Sequence, residues 1–519
     1  MRLADFWPVI LLFPAVTARP DSSIDLTLKT SNTIESRKDE SNCCAVLQKA
    51  LPNKIISPNQ IFSFYSQQQT YWDNQEREVS PACFVLPTSA QEVSSVLTAL
   101  VGQQCPFAIR SGGHSPIPGW SSIQRGVTLD LSNFSGIDVA ADKSYVNIKP
   151  GNRWSSVYSQ LDALGLGTSG GRVGTVGVGG LVTGGGISYF SKERGLVCDN
   201  VLEFETVLAN GSIVMADANT NSDLYKALKG GTSNFGIVTN IKMKTFSFPG
   251  GNMWGGTVFH KTDDATRTKL FNYFSSQYAT SSSDVHAHWI YSWSYVNAVA
   301  TNIWASASNI QYTVPVTTTP DIFKPIVSSD VALISTAAPS TLTDQAQQMA
   351  NLNPDGSRQL FATLTFRNNA DFMEQFYQLS SKAAQSIGNT LGLQWTMSFQ
   401  SLPHSVYSQG TKTGGNSLGL DDEKDDLIVA LLTATWKLGL DDNAVYTAAQ
   451  SFFTQAKAKS VEFGVDNDFL YLNYAAEFQD PIKSYGAASV AELQQVKAKY
   501  DPHGVFSTLV PGGFKIPPS

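Results

Sequence analysis

The sequence predicts an α+β protein with a two-lobed, glycine-centred domain followed by a domain built on an antiparallel sheet backed by helices. Three observations carry this. At 519 residues the chain has room for two to four compact units of about 100 to 200 residues each. Between Phe84 and Pro249 short strand-like runs alternate with single helical stretches, and beyond about residue 251 aromatic and Ser/Thr-rich strands alternate with amphipathic helices. Hydrophobic residues make up 42% and charged residues 15%, which excludes disorder across the chain. The balance of 36 Lys+Arg against 43 Asp+Glu, with no basic block, argues against nucleic acid or an anionic membrane as the main partner.

Taken in order, Met1 and Arg2 precede the apolar stretch Phe6–Val16, and Val16-Thr17-Ala18 offers small residues before Arg19, which reads as a signal peptide over 1–18. A stretch this short, interrupted by Pro8 and Pro14, falls well below the roughly 20 residues a membrane span needs. Residues 19–42 are polar and read as a flexible N-terminus of a secreted chain. From 43 to 250 the runs CFVLP, PFAIR, VTLDL and YVNIKP read as strands, and Val93, Val96, Leu97 and Leu100 recur at helical spacing within Ser89–Gly102. Residues 151–164 read as a second helix. Gly165–Gly186 then carries 11 glycines in 22 positions. ISYFS, VLEFETVLANGSIV and GIVTNIKMKTFSF read as strands, with Asn210-Gly211 as a hairpin turn. The antiparallel sheet occupies 251–460, with a helix over Phe372–Ala384. Residues 461–519 run from FLYLNYAAEF through a helix in VAELQQVKAKYDP to a Pro/Gly tail.

The five cysteines, Cys43, Cys44, Cys83, Cys105 and Cys198, suit an oxidising compartment and allow one or two disulfides of open connectivity; the adjacent pair must diverge to two partners. No Cys-x-x-Cys occurs, so no thiolate zinc site and no metal is expected. The sequons at Asn133 and Asn210 agree with secretion.

Inside the glycine run, Gly165–Gly170 matches the dinucleotide fingerprint and Gly167–Gly171 matches the serine-hydrolase elbow around Ser169. Both lack the strand-turn-helix context those motifs need, and a non-flavin serine hydrolase is the distant alternative. Arg110-Ser111-Gly112-Gly113-His114-Ser115 is more informative, because glycines directly after a strand let backbone N–H groups approach a pyrophosphate. Thr175-Val176-Gly177, Gly179-Gly180 and Gly184-Gly185-Gly186 offer a second cradle about 60 residues on. Two such loops suit a long diphosphate cofactor lying across two subdomains.

RSGGHS, GVTLDLS, VGVGGLVTGGGISYFSKERGLVCDNV, ALKGGTSNFGIVT, FLYLNY and VKAKYDPHGVF, in that order from about Cys43 to Phe506, resemble the berberine-bridge-enzyme-like branch of the vanillyl-alcohol-oxidase flavoproteins, and most of all its secreted fungal members, many of which act in secondary metabolism. The resemblance implies a PCMH-type FAD-binding domain over 43–250, a substrate domain over 251–460, and a C-terminal segment, 461–519, returning to the FAD domain. It makes His114 the residue joined covalently to the flavin 8α-methyl. Val173 stands where many relatives carry a second, cysteine attachment, so the FAD is expected to be monocovalent, with Cys198 a buried thiol. Arg110, Ser111, Ser115, Ile237, Val238 and Tyr474 join the glycines and Thr175 in the cofactor set. Val176 matches the position that admits or excludes dioxygen, and valine there is similar to oxidases.

For the chemistry, Tyr471 and Asn473 would share one side of a strand, with Tyr471 the candidate base, although a phenol near pKa 10 needs help to act at neutral pH. Gln400 sits where relatives place a catalytic glutamate or glutamine and cannot accept a proton as a carboxylate does; His404 is the other candidate base. Trp395 and Asn416 lie with them in a stretch that the resemblance turns toward the flavin, and the aromatic stretch 289–295 is a candidate wall of an apolar pocket. The reading is a secreted FAD oxidase that takes hydride from a small organic substrate and gives hydrogen peroxide from dioxygen. Alternatives are a carbohydrate oxidase of the same architecture, or a pericyclase or scaffold with non-redox flavin. Substrate identity and oligomeric state are not fixed by the sequence.

Overall fold

The computed structural model describes residues 40–297 and 301–518. The expected signal peptide and nearly all of the polar stretch 19–42 lie outside the described residues; the last of that stretch is already helical, in Glu40–Ala50.

Asp39–Ser519 forms one compact unit with three sheets that matter here. The first has strand order Ile55–Ile56, Cys83–Val85, Val127–Asp130, Phe107–Arg110, its last three strands parallel. Parallel strands need a crossover. The helix Ala90–Gly102 supplies it, capped by Ser89 Oγ on the Glu92 amide and burying Val93, Val96, Leu97 and Leu100. The second sheet is antiparallel, in the order Ile137–Val139, Tyr145–Ile148, Ile237–Lys244, Val201–Val207, Ile213–Asp217. Its last pair turns at Asn210-Gly211, where Gly211 adopts φ 83°, a left-handed conformation that glycine takes at no steric cost. Ile187–Ser191, expected as a strand, forms none: the glycines before it and the helix Ser191–Arg194 after it leave no ladder to join.

The third sheet is antiparallel throughout, ordered Ala332–Ser335, Asn252–His260, Asn302–Tyr312, Ala287–Asn297, Gln394–Leu402, Leu427–Trp436, Arg358–Arg367, with Ala338–Thr341 also on Asn252–His260. Helices Ala370–Ser386 and Asp442–Glu462 back one face. The period of two in a strand separates the two faces. Trp289, Tyr291, Trp293 and Tyr295 are buried against those helices, so the aromatic stretch is core and not pocket. His288, Ile290, Ser292 and Ser294 point the other way.

The C-terminal segment returns to the first two sheets. Val505, Phe506, Leu509 and Val510 share a core with Leu47, Val93 and Phe107, while Tyr471 and Leu472 pack into the core around Trp154 and Val197. Disulfides Cys43–Cys105 and Cys44–Cys83 send the adjacent cysteines of the first helix to two partners around the parallel sheet. Cys198 is a free, buried thiol. Both sequon asparagines, Asn133 and Asn210, are exposed.

Candidate active site

The strand Phe107–Arg110 ends the parallel sheet and delivers RSGGHS. Arg110 itself turns inward. Its guanidinium pairs with Asp130 at 2.9 Å, donates to Thr70 Oγ1 at 2.6 Å and lies 3.7 Å from the centre of the Tyr71 ring. The side chain therefore anchors the loop and is not free for a cofactor. Beyond it the two glycine loops touch backbone to backbone: a Cβ on Gly112 would stand 2.4 Å from Gly177 Cα, and one on Gly177 would stand 2.5 Å from Gly112 N. Arg153 ties the loops from outside, donating to the carbonyls of Gly112 and Thr175, each at 2.8 Å.

At Gly180, exposed in the helix Val178–Thr183, a Cβ would meet nothing within 4 Å. Bare backbone facing open space beside two touching glycine loops fits a diphosphate cofactor. Gly180 is the residue of the expected cradle that shows this open backbone, while Gly112 and Gly177 set the close approach of the two loops. Gly184, Gly185 and Gly186 are not open, because their missing Cβ atoms would meet Asn473, Leu418 and Val197; close packing explains them. Gly113 (φ 64°) lies under Arg110, and Gly179 under Ser111. Ser111 Oγ donates to Pro150 O, and Ser115 Oγ accepts from the Ile117 amide. Ile237 and Val238 are buried in the second sheet with their side chains in core.

His114 stands half-buried where the loops meet, stacked on Trp72 at 4.2 Å and 11°, with its Nε2 3.5 Å from Thr175 Oγ1. Burial, reinforced by the Arg153 charge, pulls its imidazole down to about 3. The ring is thus neutral at ordinary pH and keeps a nucleophilic nitrogen lone pair. Val176, next to Thr175 in sequence, is half-buried, and its amide donates to the Val173 carbonyl.

Aromatic contacts connect His114 to a second group of residues. Trp72 packs on Phe361 at 5.5 Å, Phe361 meets the edge of Tyr474 at 6.2 Å, and Tyr474 meets Tyr471 at 4.8 Å. Tyr474 Oη donates to Gln400 Oε1 at 3.1 Å and accepts from Arg172 Nη2. Gln400 lies on the polar sheet face, opposite Ile290 in register. There Ser292 pairs with Ser398 at 2.7 Å and Ser294 with Thr396 at 2.8 Å, hydroxyl to hydroxyl.

The expected strand at 471–474 is a 3-10 turn, Leu472–Tyr474. Tyr471 and Asn473 still meet, through Asn473 Nδ2 donating to Tyr471 Oη at 3.1 Å, because the turn folds one over the other. Burial pushes the Tyr471 phenol well above its usual range, which disfavours it as a base at neutral pH. His404 is not brought into this group. It starts the helix His404–Tyr407, its amide donating to Asp426 and its ring edge-on to Tyr407. Trp395 is core, bonded to Ser380. Asn416 donates to the buried Asp199. Sequence reasoning missed Trp72, Arg153, Arg172 and Phe361; each lies outside any motif except Arg172, which sits inside the glycine run next to Val173.

Together these residues form the candidate site, two touching glycine loops with a neutral histidine where they meet and, beyond Trp72 and Phe361, the Tyr474–Gln400 pair on the polar sheet face, an arrangement that fits a flavin-dependent oxidoreductase. Comparison with known proteins agrees. The FAD binding domain family matches residues 81–217, and the family described as berberine and berberine like matches residues 470–508. An FAD-dependent monooxygenase of Aspergillus calidoustus, drtC, is 37% identical over 91% of this chain and 90% of its own. Among solved structures, the xylooligosaccharide oxidase of Myceliophthora thermophila C1 is 19% identical with TM-score 0.73, over 93% of this chain and 100% of the other. A glucooligosaccharide oxidase of Acremonium strictum, described as carrying 6-S-cysteinyl, 8α-N1-histidyl FAD, is 19% identical with TM-score 0.72 over the same shares. The chain belongs to the berberine-bridge-enzyme-like family of FAD-linked oxidoreductases, and its cofactor is FAD.

Proposed function

We propose that this protein is an oxidase of the secretory pathway that carries FAD on His114 alone and dehydrogenates a small organic substrate, as in secondary metabolism, releasing hydrogen peroxide. The observation that carries this is the neutral, Trp72-stacked His114 at the junction of the two glycine loops, facing a group formed by Tyr474 and Gln400. FAD, when bound, would supply a hydride acceptor and a two-electron route to dioxygen, which with two protons would give hydrogen peroxide. Around it, Gly180 leaves room for backbone contact with the diphosphate, the touching Gly112 and Gly177 bring the two loops together, and Arg153 holds them at one spacing. Trp72 fixes the imidazole plane. Gln400 and Tyr474 orient a substrate hydroxyl by hydrogen bonds, Asn473 and Tyr471 close the floor, and Val176 at the rim sets access for dioxygen. Val173 offers no sulfur for a second attachment. The two disulfides and exposed sequons support passage through an oxidising compartment.

The test is acid precipitation of protein made in a secretory host, with peptide mass mapping of the pellet. Flavin is expected on the His114 peptide alone and to be lost in His114→Ala; a colourless wild-type pellet overturns the reading. The hydroxyl-lined sheet face of Ser292, Ser294, Thr396 and Ser398 favours a second reading, a carbohydrate oxidase, which peroxide release from xylobiose would establish. Stoichiometric peroxide separates an oxidase from a monooxygenase, which would leave one oxygen atom of dioxygen in the product.

A further inference from the structure

Among the described residues four arginines are almost wholly buried, and three of them have carboxylate partners. Arg110 pairs with Asp130, Arg267 with Glu374 and Asp264, and Arg358 with Asp442 and Glu78. Arg172, 7% exposed, has none among the described residues. Taking a guanidinium out of water without a counter-charge costs several kcal/mol, so what surrounds it needs an explanation.

Two neutral acceptors hold it. Nη2 donates to Tyr474 Oη, and Nη1 lies 3.1 Å from His288 Nε2. Burial and the Arg172 charge push the His288 imidazole well down, so this ring is neutral. Its Nδ1 is 3.0 Å from Gln311 Oε1, which can only accept; the proton is therefore on Nδ1, and Nε2 accepts from Arg172. Gln311 is in turn fixed by donating to Asn309 and Gln345. The network positions the guanidinium rigidly yet engages two of its five N–H groups through side chains. Tyr474, whose hydroxyl it bonds, is half-buried and bonded to Gln400, so the unmatched charge lies on the Tyr474 side of the site, and the rings of Tyr471 and Phe361 pack on Tyr474.

We propose that Arg172 is a specificity-determining residue that binds an anionic oxygen carried on a planar, conjugated substrate, such as a phenolate or enolate. The ligand oxygen supplies the counter-charge the fold withholds, and the aromatic side chains take the ring. This rests on the flavin-site reading for the position of the pocket but not on turnover.

The test uses flavin-loaded protein and three probes of similar shape: 4-nitrophenol, 4-nitrobenzoate and 4-nitroanisole, titrated by difference absorbance, in wild type, Arg172→Met and Arg172→Lys. Wild type should bind 4-nitrophenol as its coloured phenolate at least tenfold more tightly than 4-nitroanisole. R172M should erase that preference and R172K retain part of it, with the flavin content of the acid pellet unchanged. Tighter binding of 4-nitrobenzoate than of the phenol, also lost in R172M, supports the anion site and assigns it to carboxylates. Equal binding of all three probes by wild type, or an undiminished preference in R172M, overturns the proposal. Wild type alone suffices should R172M not fold. A pellet without flavin refutes the His114 reading instead, and the probe preference is then read by quenching of protein fluorescence.

Discussion

Substituting alanine at three glycines separates the glycines that hold the protein together from those that face the cofactor. At Gly112 the backbone has an ordinary negative φ, so alanine adds no conformational strain; the effect is contact alone. Its Cβ would stand 2.4 Å from Gly177 Cα and 2.6 Å from Gly177 N, where carbon atoms prefer about 3.5 to 4.0 Å. The loops must part by about 1 Å or more, against the Arg153 bonds that tie them, at a cost of about 1–3 kcal/mol or higher for overpacking. Gly184→Ala drives its Cβ to 2.1 Å from Asn473 Oδ1 and should destabilise similarly. Gly180 is the contrast. A Cβ there meets nothing within 4 Å of protein, and alanine in a helix is favoured over glycine by about 1 kcal/mol. Gly180→Ala should therefore melt at or above the wild-type temperature in flavin-free protein, yet incorporate less FAD. The assay is a thermal melt of flavin-free protein beside the ratio of visible to ultraviolet absorbance after flavin loading. Full flavin content in G180A would refute the assignment of that position to the cofactor, and an unchanged melt in G112A would refute the loop contact.

Further outcomes follow from the same structure. His114→Ala should give protein whose flavin, if retained, is released by acid, read as colour in the supernatant. Cys83→Ser opens the Cys44–Cys83 bridge and should cost about 2–5 kcal/mol, seen as a lower melting temperature that reductant no longer shifts as far as in wild type. His260, bonded to Ser308 at 2.8 Å, is pulled from 6.5 to about 4 by burial. The unfolded chain thus binds a proton between those values that the folded chain does not, so stability is full above pH 6.5 and is lost as pH falls toward 4. At about 1.4 kcal/mol per unit this single group accounts for up to about 3 kcal/mol; His260→Gln should flatten that part of a urea-melt pH profile, and an unaltered slope would count against it.

How much was legible follows from how local each signal is. The helix Ala90–Gly102 and the strands around it announce themselves by apolar periodicity and a Ser89 cap within a few residues of each other. The glycine loops were visible as composition, and RSGGHS as a motif. What those glycines do was not visible, because Gly112, Gly180 and Gly184 look alike until the chain shows which atoms stand opposite. Tyr471 and Asn473 were correctly paired for the wrong reason, a strand where a 3-10 turn forms, since four residues carry too little periodicity to tell the two apart. Trp395 and His404 lie in the stretch that the resemblance turns toward the flavin, but Trp395 is buried in core and His404 starts an outlying helix.

The sequence by itself determined the α+β class, the antiparallel second half, the family and its FAD cofactor, since each depends on neighbours along the chain or on motifs held in order. Only the tertiary structure decided which cysteines pair, which sheet face is core, and that Trp72 on His114 leads through Phe361 to Tyr474 and Arg172. Those residues come from distant segments, and their contacts depend on how three sheets pack together. Packing is a property of the assembled sheets, and no spacing along a single strand records it.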